Sequence, residues 1–413
     1  MSIGVDCVRR YIQRMKSTSA SMSHSLLEVA LVFFRLGLTS FGGPVAHMGY
    51  FHREFVQRRS WLTERDFADW MAMCQFLPGP ASSQLGMVVG RLRAGLPGAL
   101  VAWLAFTLPS ALLLMALAAW HGSSASFMPQ GLVQGLKWVA VAVVAQALWS
   151  MGRTSFHRPL HMALAAIVAL ISAVSGAVWV QLACVLFAGL IATRFGSKAR
   201  GVSGSQETVT YAGWQKAAFM LGAALLALPA VAWLWPSSMW PLVDAFFRAG
   251  AWVMGGGHVV LPLLEAEVVQ PGWVSADQFL TGYGLAQALP GPLFTLSAYL
   301  GAMSPWGWWA GWLALVAIFA PSILWVWLAM PHWQRWRHLP TMQAAMGGVH
   351  AGVWGLLLSA WLHPVLSSSV HHVSHAIIAA ALLWLLIRFK ESVGWVVLLG
   401  AVAGVLQHMI WGL

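Results

Sequence analysis

Acidic side chains are scarce in this sequence: 12 Asp and Glu stand against 23 Lys and Arg in 413 residues, and charged residues of both signs make up only 8% of the chain. A soluble globular domain carries roughly a quarter charged residues, so this composition excludes a water-soluble fold of this length. Cysteine is equally sparse. Cys7, Cys74 and Cys184 are too far apart to read as a zinc site or a disulfide framework, and no redox role follows from them. No Gly-x-x-x-x-Gly-Lys-Ser/Thr loop is present, which removes the usual means of binding ATP. The first 24 residues hold Arg9, Arg10, Arg14 and Lys16 but no apolar core of the length a signal peptide needs, so they read as a cytoplasmic tail.

What the chain has in abundance is apolar surface. Hydrophobic residues make up 59% of it and 26 are Trp, a side chain that favours the membrane–water interface. The pattern is that of an all-α polytopic membrane protein. A net charge of +11 would suggest nucleic acid in a soluble protein, whereas here it reports cytoplasmic loops and no nucleic-acid partner is expected.

The residues that organise the chain are 74–84, Cys-Gln-Phe-Leu-Pro-Gly-Pro-Ala-Ser-Ser-Gln, because Ala-Gln-Ala-Leu-Pro-Gly-Pro-Leu-Phe-Thr recurs at 286–295, an offset of 212. Each copy sets a Pro-Gly-Pro break inside an apolar helical run, and broken helices at membrane depth are tolerated where they are buried in protein or line a cavity. Pro80 and Pro292 suit the first turn of a new helix, whose free N–H groups and dipole attract anions. The candidate binding residues are therefore Pro78, Gly79, Pro80, Ser82, Ser83 and Gln84 in the first copy, with Gly291 and Thr295 in the second. Gln75 and Gln287 lie just before the breaks, as donors to an oxyanion or as helix-packing groups.

The match extends well beyond these motifs. Phe246-Phe247-Arg248 repeats Phe33-Phe34-Arg35, Gly255-Gly256 repeats Gly42-Gly43, Trp273 repeats Trp61, and Pro321-Ser322 repeats Pro109-Ser110, at offsets of 212 or 213. A period this long is a duplication, not a solenoid. Expected boundaries are a tail at 1–24, a first repeat at 25–195, a cytoplasmic linker at 196–210, a connecting transmembrane helix at 211–236 and a second repeat at 237–413. Basic clusters follow alternate loops in the two copies: Arg53, Arg58, Arg59, Arg91 and Arg93 belong to the first, Arg335, Arg337, Arg388 and Lys390 to non-matching loops of the second. By the positive-inside rule the repeats are inverted, with the N-terminus cytoplasmic, Glu265 and Glu267 on an external face, and the C-terminus external.

Arg35 and Arg248 occupy matching positions within apolar runs, as do Lys137 and His350. An intramembrane cation is a functional candidate by default, so Arg35 and Lys137 join the expected site. Snorkelling is the competing account for Arg35, and an i,i+4 pair with Asp244 is that for Arg248. His363, His371, His372 and His375 lack metal-ligand spacing and read as a solvated loop, so neither metal nor cofactor is expected.

These motifs carry a resemblance. Residues 41–47 (Phe-Gly-Gly-Pro-Val-Ala-His), 74–84, 255–258 (Gly-Gly-Gly-His) and 289–292 (Leu-Pro-Gly-Pro) make the chain similar to the chromate ion transporters of bacteria in their long, two-domain form. The resemblance implies chromate export across the inner membrane, with sulfate as a competing look-alike. The partners are then the oxyanion and membrane lipids, and a homodimer is compatible with them. Residue chemistry leaves a second reading, a membrane-embedded enzyme acting on a lipid phosphate, which would need a nucleophile with a base in reach. Ser82 and Ser83 have no His or carboxylate beside them in the sequence.

Overall fold

The computed structural model describes residues 19–123, 129–156, 158–175, 178–195, 214–253, 260–337, 339–388 and 393–411. Residues 1–18 of the expected tail, the whole of the expected linker at 196–210 and the second glycine motif (Gly255, Gly256, Gly257 and His258) lie outside the described residues, while 19–24 of the expected tail begin the first helix. Among those described there are helices and no strands.

The first half runs α1 (Ser19–Thr39), α2 (Gly43–His52) continuing into a π-helical turn at Arg53–Arg58, α3 (Glu64–Phe76), α4 (Ala81–Ser123, broken at Ala94 and Gly95), α5 (Gln130–Ser155), α6 (Pro159–Val174) and α7 (Val178–Phe195). Helix α8 (Trp214–Leu234) connects the halves. The second half repeats the order with α9 (Trp240–Trp252), α10 (Val260–Val268), α11 (Ala276–Ala288), a 3-10 turn at Leu293–Thr295 leading into α12 (Leu296–Met303), then α13 (Trp308–Ala329), α14 (Pro340–Ala360), α15 (Val373–Arg388) and α16 (Val393–Trp411).

Local chemistry explains the matching boundaries. Thr63 caps α3, its hydroxyl accepting from the Asp66 amide at 3.1 Å, and at the same register Ser275 and Gln278 form a full capping box on α11. The run Ala81–Ser123 turns at Gly95, and Gly307 makes the matching break between α12 and α13.

Among the described residues six helices are long and apolar enough to cross a membrane, two in the first half, one connecting the halves and three in the second: Ala81–Trp120, Gln130–Arg153, Gln215–Leu234, Trp308–Ala329, Pro340–His363 and Val393–Ile410. Two further helices of the first half, Pro159–Val174 and Trp179–Phe195, are apolar but shorter, and Val373–Arg388 repeats the first of them.

The halves are interlocked. Helix α5 of the first half packs against α15 and α16 of the second, and α14 of the second packs against α6 and α7 of the first. Small residues set the distance. Gly131 and Gly135 face Gly404 and Gly400 so closely that no Cβ would fit, a Gly-x-x-x-Gly contact on both helices, and Gly348 and Gly355 meet the Ala188 and Ala165 backbone in the same way. Tryptophans tie the crossings: Trp138 Nε1–H donates to the Ser369 carbonyl at 3.1 Å, and Trp354 Nε1–H to that of Leu148 at 2.8 Å.

Candidate functional site

The two Pro-Gly-Pro breaks meet the opposite half at equivalent points. The Gly79 N–H donates to the Val253 carbonyl at 2.6 Å, at the end of α9, and the Gly291 N–H donates to the Ser40 carbonyl at 2.9 Å, at the end of α1. Gly79 and Gly291 are 212 apart and Ser40 and Val253 are 213 apart, so the halves exchange one backbone hydrogen bond each at matching positions. Both glycines take left-handed φ values, 117° and 111°. Each lies against a serine of the other half, Gly79 on Ser322 and Gly291 on Ser110.

Around this crossing the first half supplies most of the polar groups, and the second half adds Ser322. Pro78, Gly79, Pro80, Ser82, Ser83 and Gln84 are all buried. Gln84 Nε2 donates to the Pro78 carbonyl at 2.5 Å and holds the break in shape. The amides of Ala81, Ser82 and Ser83 head α4, where a helix has no internal acceptor for them. His47, fully buried on α2, reaches back to both sides: Nε2 lies 3.1 Å from the Ser40 carbonyl and Nδ1 lies 3.3 Å from Ser82 Oγ, with the ring edge-on to Phe106. Ser40 Oγ, Ser83 Oγ, Gln84 Oε1, Thr107 Oγ1 and Ser322 Oγ are buried without a hydrogen-bond partner. Orphaned polar atoms are uncommon in protein interiors, and gathered in one place they mark a spot where a ligand or water completes the bonding.

The second half differs. Thr295 Oγ1 donates to the Pro292 carbonyl at 2.7 Å and Ser297 Oγ to that of Phe294 at 2.8 Å, so both hydroxyls are satisfied within their own turn. Gln287 is buried and hydrogen-bonded to the Tyr283 hydroxyl, whereas Gln75 in the first half is exposed.

The structure does not bring Arg35 or Lys137 to the crossing. The Arg35 side chain is 57% exposed on α1, with Glu54 3.9 Å away. Lys137 is buried and bound to Asp277 at 2.5 Å, in the first turn of α11. The break lies at the other end of that helix, roughly 16 Å away at ~1.5 Å per residue. A second ion pair between the halves joins Asp69 on α3 to Arg337.

Two features escaped the sequence. The first is the His47–Ser82 contact, which gives Ser82 a histidine neighbour 35 residues away. The second is a duplicated ion pair. Glu54 and Glu267 are 213 apart, the same offset as Arg35 and Arg248, and that arithmetic could have found them. Glu267 is therefore no marker of a solvated external loop. It is buried within α10, and Arg248 bridges it at 2.9 Å to Asp244 at 2.8 Å, with Trp179 stacked on the guanidinium at 5.0 Å. In the first half Glu54 faces Arg58 at 3.1 Å and Arg59 at 2.6 Å, and Glu28 holds Arg59 and Arg93.

Two interlocked repeats of broken helices, rich in apolar spans, define a multi-pass membrane protein. Its family is clear as well: the chromate transporter family profile matches residues 27–193 and 240–405, and the chain belongs to that family. It is 27% identical over 408 residues to a chromate transport protein of Cupriavidus metallidurans, an alignment covering 95% of this chain and 96% of the relative. A probable chromate transport protein of Synechococcus elongatus is 26% identical, covering 82% of this chain and 84% of the relative. An uncharacterized transporter of Methanocaldococcus jannaschii is 23% identical across 92% and 94% of the two chains. No solved structure matches the chain at a significant level.

Proposed function

We propose that this protein carries chromate out of the cytoplasm by alternating access, binding it where the two Pro-Gly-Pro breaks cross. The observation that carries this reading is the pair of buried, unpartnered side-chain atoms at the head of α4, Ser83 Oγ and Gln84 Oε1. An oxyanion entering the low-dielectric interior sheds water and needs groups already oriented to replace it. The free amides of 81–83 and the Ser83 hydroxyl supply them, without a partner to give up. The names of the relatives from Cupriavidus metallidurans and Synechococcus elongatus supply the substrate. Because a bacterial cytoplasm is negative, the membrane potential drives an anion outward by about 2.3 kcal/mol per charge per 100 mV, so export does not require ATP. Sulfate, of the same shape, enters as a competitor.

A decisive experiment is chromate movement in inverted inner-membrane vesicles with the potential set by potassium and valinomycin. Export predicts uptake that rises with an inside-positive potential. No uptake at any potential, with chromate leaving preloaded inverted vesicles instead, would make the protein an importer.

The first half is the binding half in this reading, because its hydroxyl is free and that of Thr295 is not. Ser83→Ala should weaken chromate binding about ten- to hundredfold, the range for a hydrogen bond to a charged group. Thr295→Ala should change it less than threefold at the same protein amount. Equal losses, read as apparent affinity in reconstituted vesicles, would mean that the halves bind alike.

Inner-membrane orientation is part of the same proposal. Gln57 and Gln270 are exposed, match at an offset of 213 and follow the same hairpin in each half. Inverted repeats place Gln57 in the cytoplasm and Gln270 outside. A membrane-impermeant maleimide added to intact cells should label Gln270→Cys and spare Gln57→Cys, and labelling of both or of the reverse one would rule the orientation out.

A further inference from the structure

Gln84 is fully buried on the first turn of α4. Its Nε2 faces the Pro78 carbonyl, an atom that can only accept, so the direction of the amide is fixed and the other end is Oε1. That oxygen is buried and has no partner. The same reasoning fixes Ser82. The Ser40 carbonyl only accepts, so His47 Nε2 carries the ring proton and Nδ1 of the neutral imidazole is an acceptor. The Ser82 hydroxyl 3.3 Å away therefore donates to Nδ1, and toward anything else Ser82 Oγ offers lone pairs.

The head of α4 thus presents two kinds of group. Donors are the Ser83 hydroxyl and the amides of 81–83; acceptors are Gln84 Oε1 and Ser82 Oγ. A fully deprotonated tetrahedral oxyanion has acceptors only. It satisfies the donors and leaves Gln84 Oε1 unpaired beside negative charge, and a buried polar group without its partner is what makes a site reject an analogue lacking the hydrogen. An oxyanion that keeps one proton satisfies both kinds.

We propose that Gln84, together with Ser82 held by His47, selects the hydrogen-bearing, singly charged form of a tetrahedral oxyanion, hydrogen chromate, over a fully deprotonated one such as sulfate. The inference rests on reading the crossing as the oxyanion site. It also makes use of ordinary acidity: chromate holds its proton to near neutrality, sulfate only in strong acid.

Protein groups could imitate such a pH dependence, and the elements packed on α4 define which ones. They are His47, Tyr50 and His52 on α2, Cys74 with Glu64, Arg65, Asp66 and Asp69 on α3, Glu28 and Arg35 on α1, Asp277 and Tyr283 on α11, Tyr299 on α12, and Arg91 and Arg93 on α4 itself; α13 has none. Any of these would act on both anions alike, which is what separates them from a proton on the ligand.

The test is equilibrium binding of chromate and of sulfate to the purified full chain in detergent, from mildly acid to mildly alkaline pH. Chromate affinity should fall as hydrogen chromate deprotonates. Sulfate affinity should stay level and be weaker by about ten- to hundredfold at the acid end. In Gln84→Met chromate should lose that same factor and its pH slope while sulfate is unchanged. A common slope for the two anions, a level profile for chromate, or equal losses in Gln84→Met would overturn the proposal. Should Gln84→Met fail to insert, the two wild-type profiles decide alone. If the wild type binds both anions without distinction, only this selectivity falls; if it binds neither, the oxyanion site falls with it.

Discussion

Gly79→Ala should leave little folded carrier, and Gly291→Ala should do nearly the same damage from the other half. Gly79 sits at a φ of 117° and Gly291 at 111°, a region that L side chains rarely enter, at a cost on the order of 1–3 kcal/mol. A Cβ on Gly79 would also run into Ser322 Oγ and come within 2.7 Å of Gln84 Nε2, while one on Gly291 would lie 2.6 Å from Ser110 Oγ. Overpacking of that kind typically adds about 1–3 kcal/mol. The two effects together approach the whole stability of many proteins. Melting temperature in detergent and the monodisperse fraction after extraction measure the loss. Adding Ser322→Gly to Gly79→Ala should return the packing part and leave the backbone part, so recovery should be partial. A Gly79→Ala protein that melts like wild type would mean that the break has a conformation other than this one.

The second large effect is expected at Arg248, against a small one at its sequence twin Arg35. Arg248→Gln strands Asp244 and Glu267, both buried, without the cation that bridges them, and breaking a buried ion pair by removing one partner costs about 3–5 kcal/mol. Arg35→Gln removes an exposed group 3.9 Å from a carboxylate that Arg58 and Arg59 also hold, which is worth at most about 1 kcal/mol. Neutralising the stranded carboxylates, Asp244→Asn and Glu267→Gln in the Arg248→Gln background, should restore most of the lost stability. Thermal melts of the four proteins settle it: no recovery in the triple variant would show that Arg248 stabilises through its stacking on Trp179 rather than through charge.

Arg35 and Arg248 also show where a sequence stops informing. Their identical Phe-Phe-Arg settings make them equivalents, and the duplication that reveals this also revealed the family and the order of elements. Their environments differ because of one substitution a turn away, Leu31 in the first half and Asp244 in the second. Lys137 was legible as a cation in an apolar run, but its partner Asp277 lies 140 residues on and meets it only because the halves interlock. The Pro-Gly-Pro breaks were legible from proline, glycine and their repetition. What they touch was not, since Val253 and Ser40 are approached by backbone groups that leave no trace in residue type. His47 belonged to a recognisable motif, yet its contact with Ser82 depends on α2 folding back against α4.

The most direct test is counterflow of chromate in proteoliposomes containing the purified chain, preloaded with unlabelled chromate and given labelled chromate outside, with lipid phosphate assayed in the same samples. Chromate carried through the α4 crossing predicts uptake of unchanged label that saturates and is strongly weakened by Ser83→Ala, with no phosphate released. Absence of uptake, with phosphate released from lipid in a manner that depends on Ser82 and His47, would contradict it and make the Ser82–His47 pair part of an enzyme.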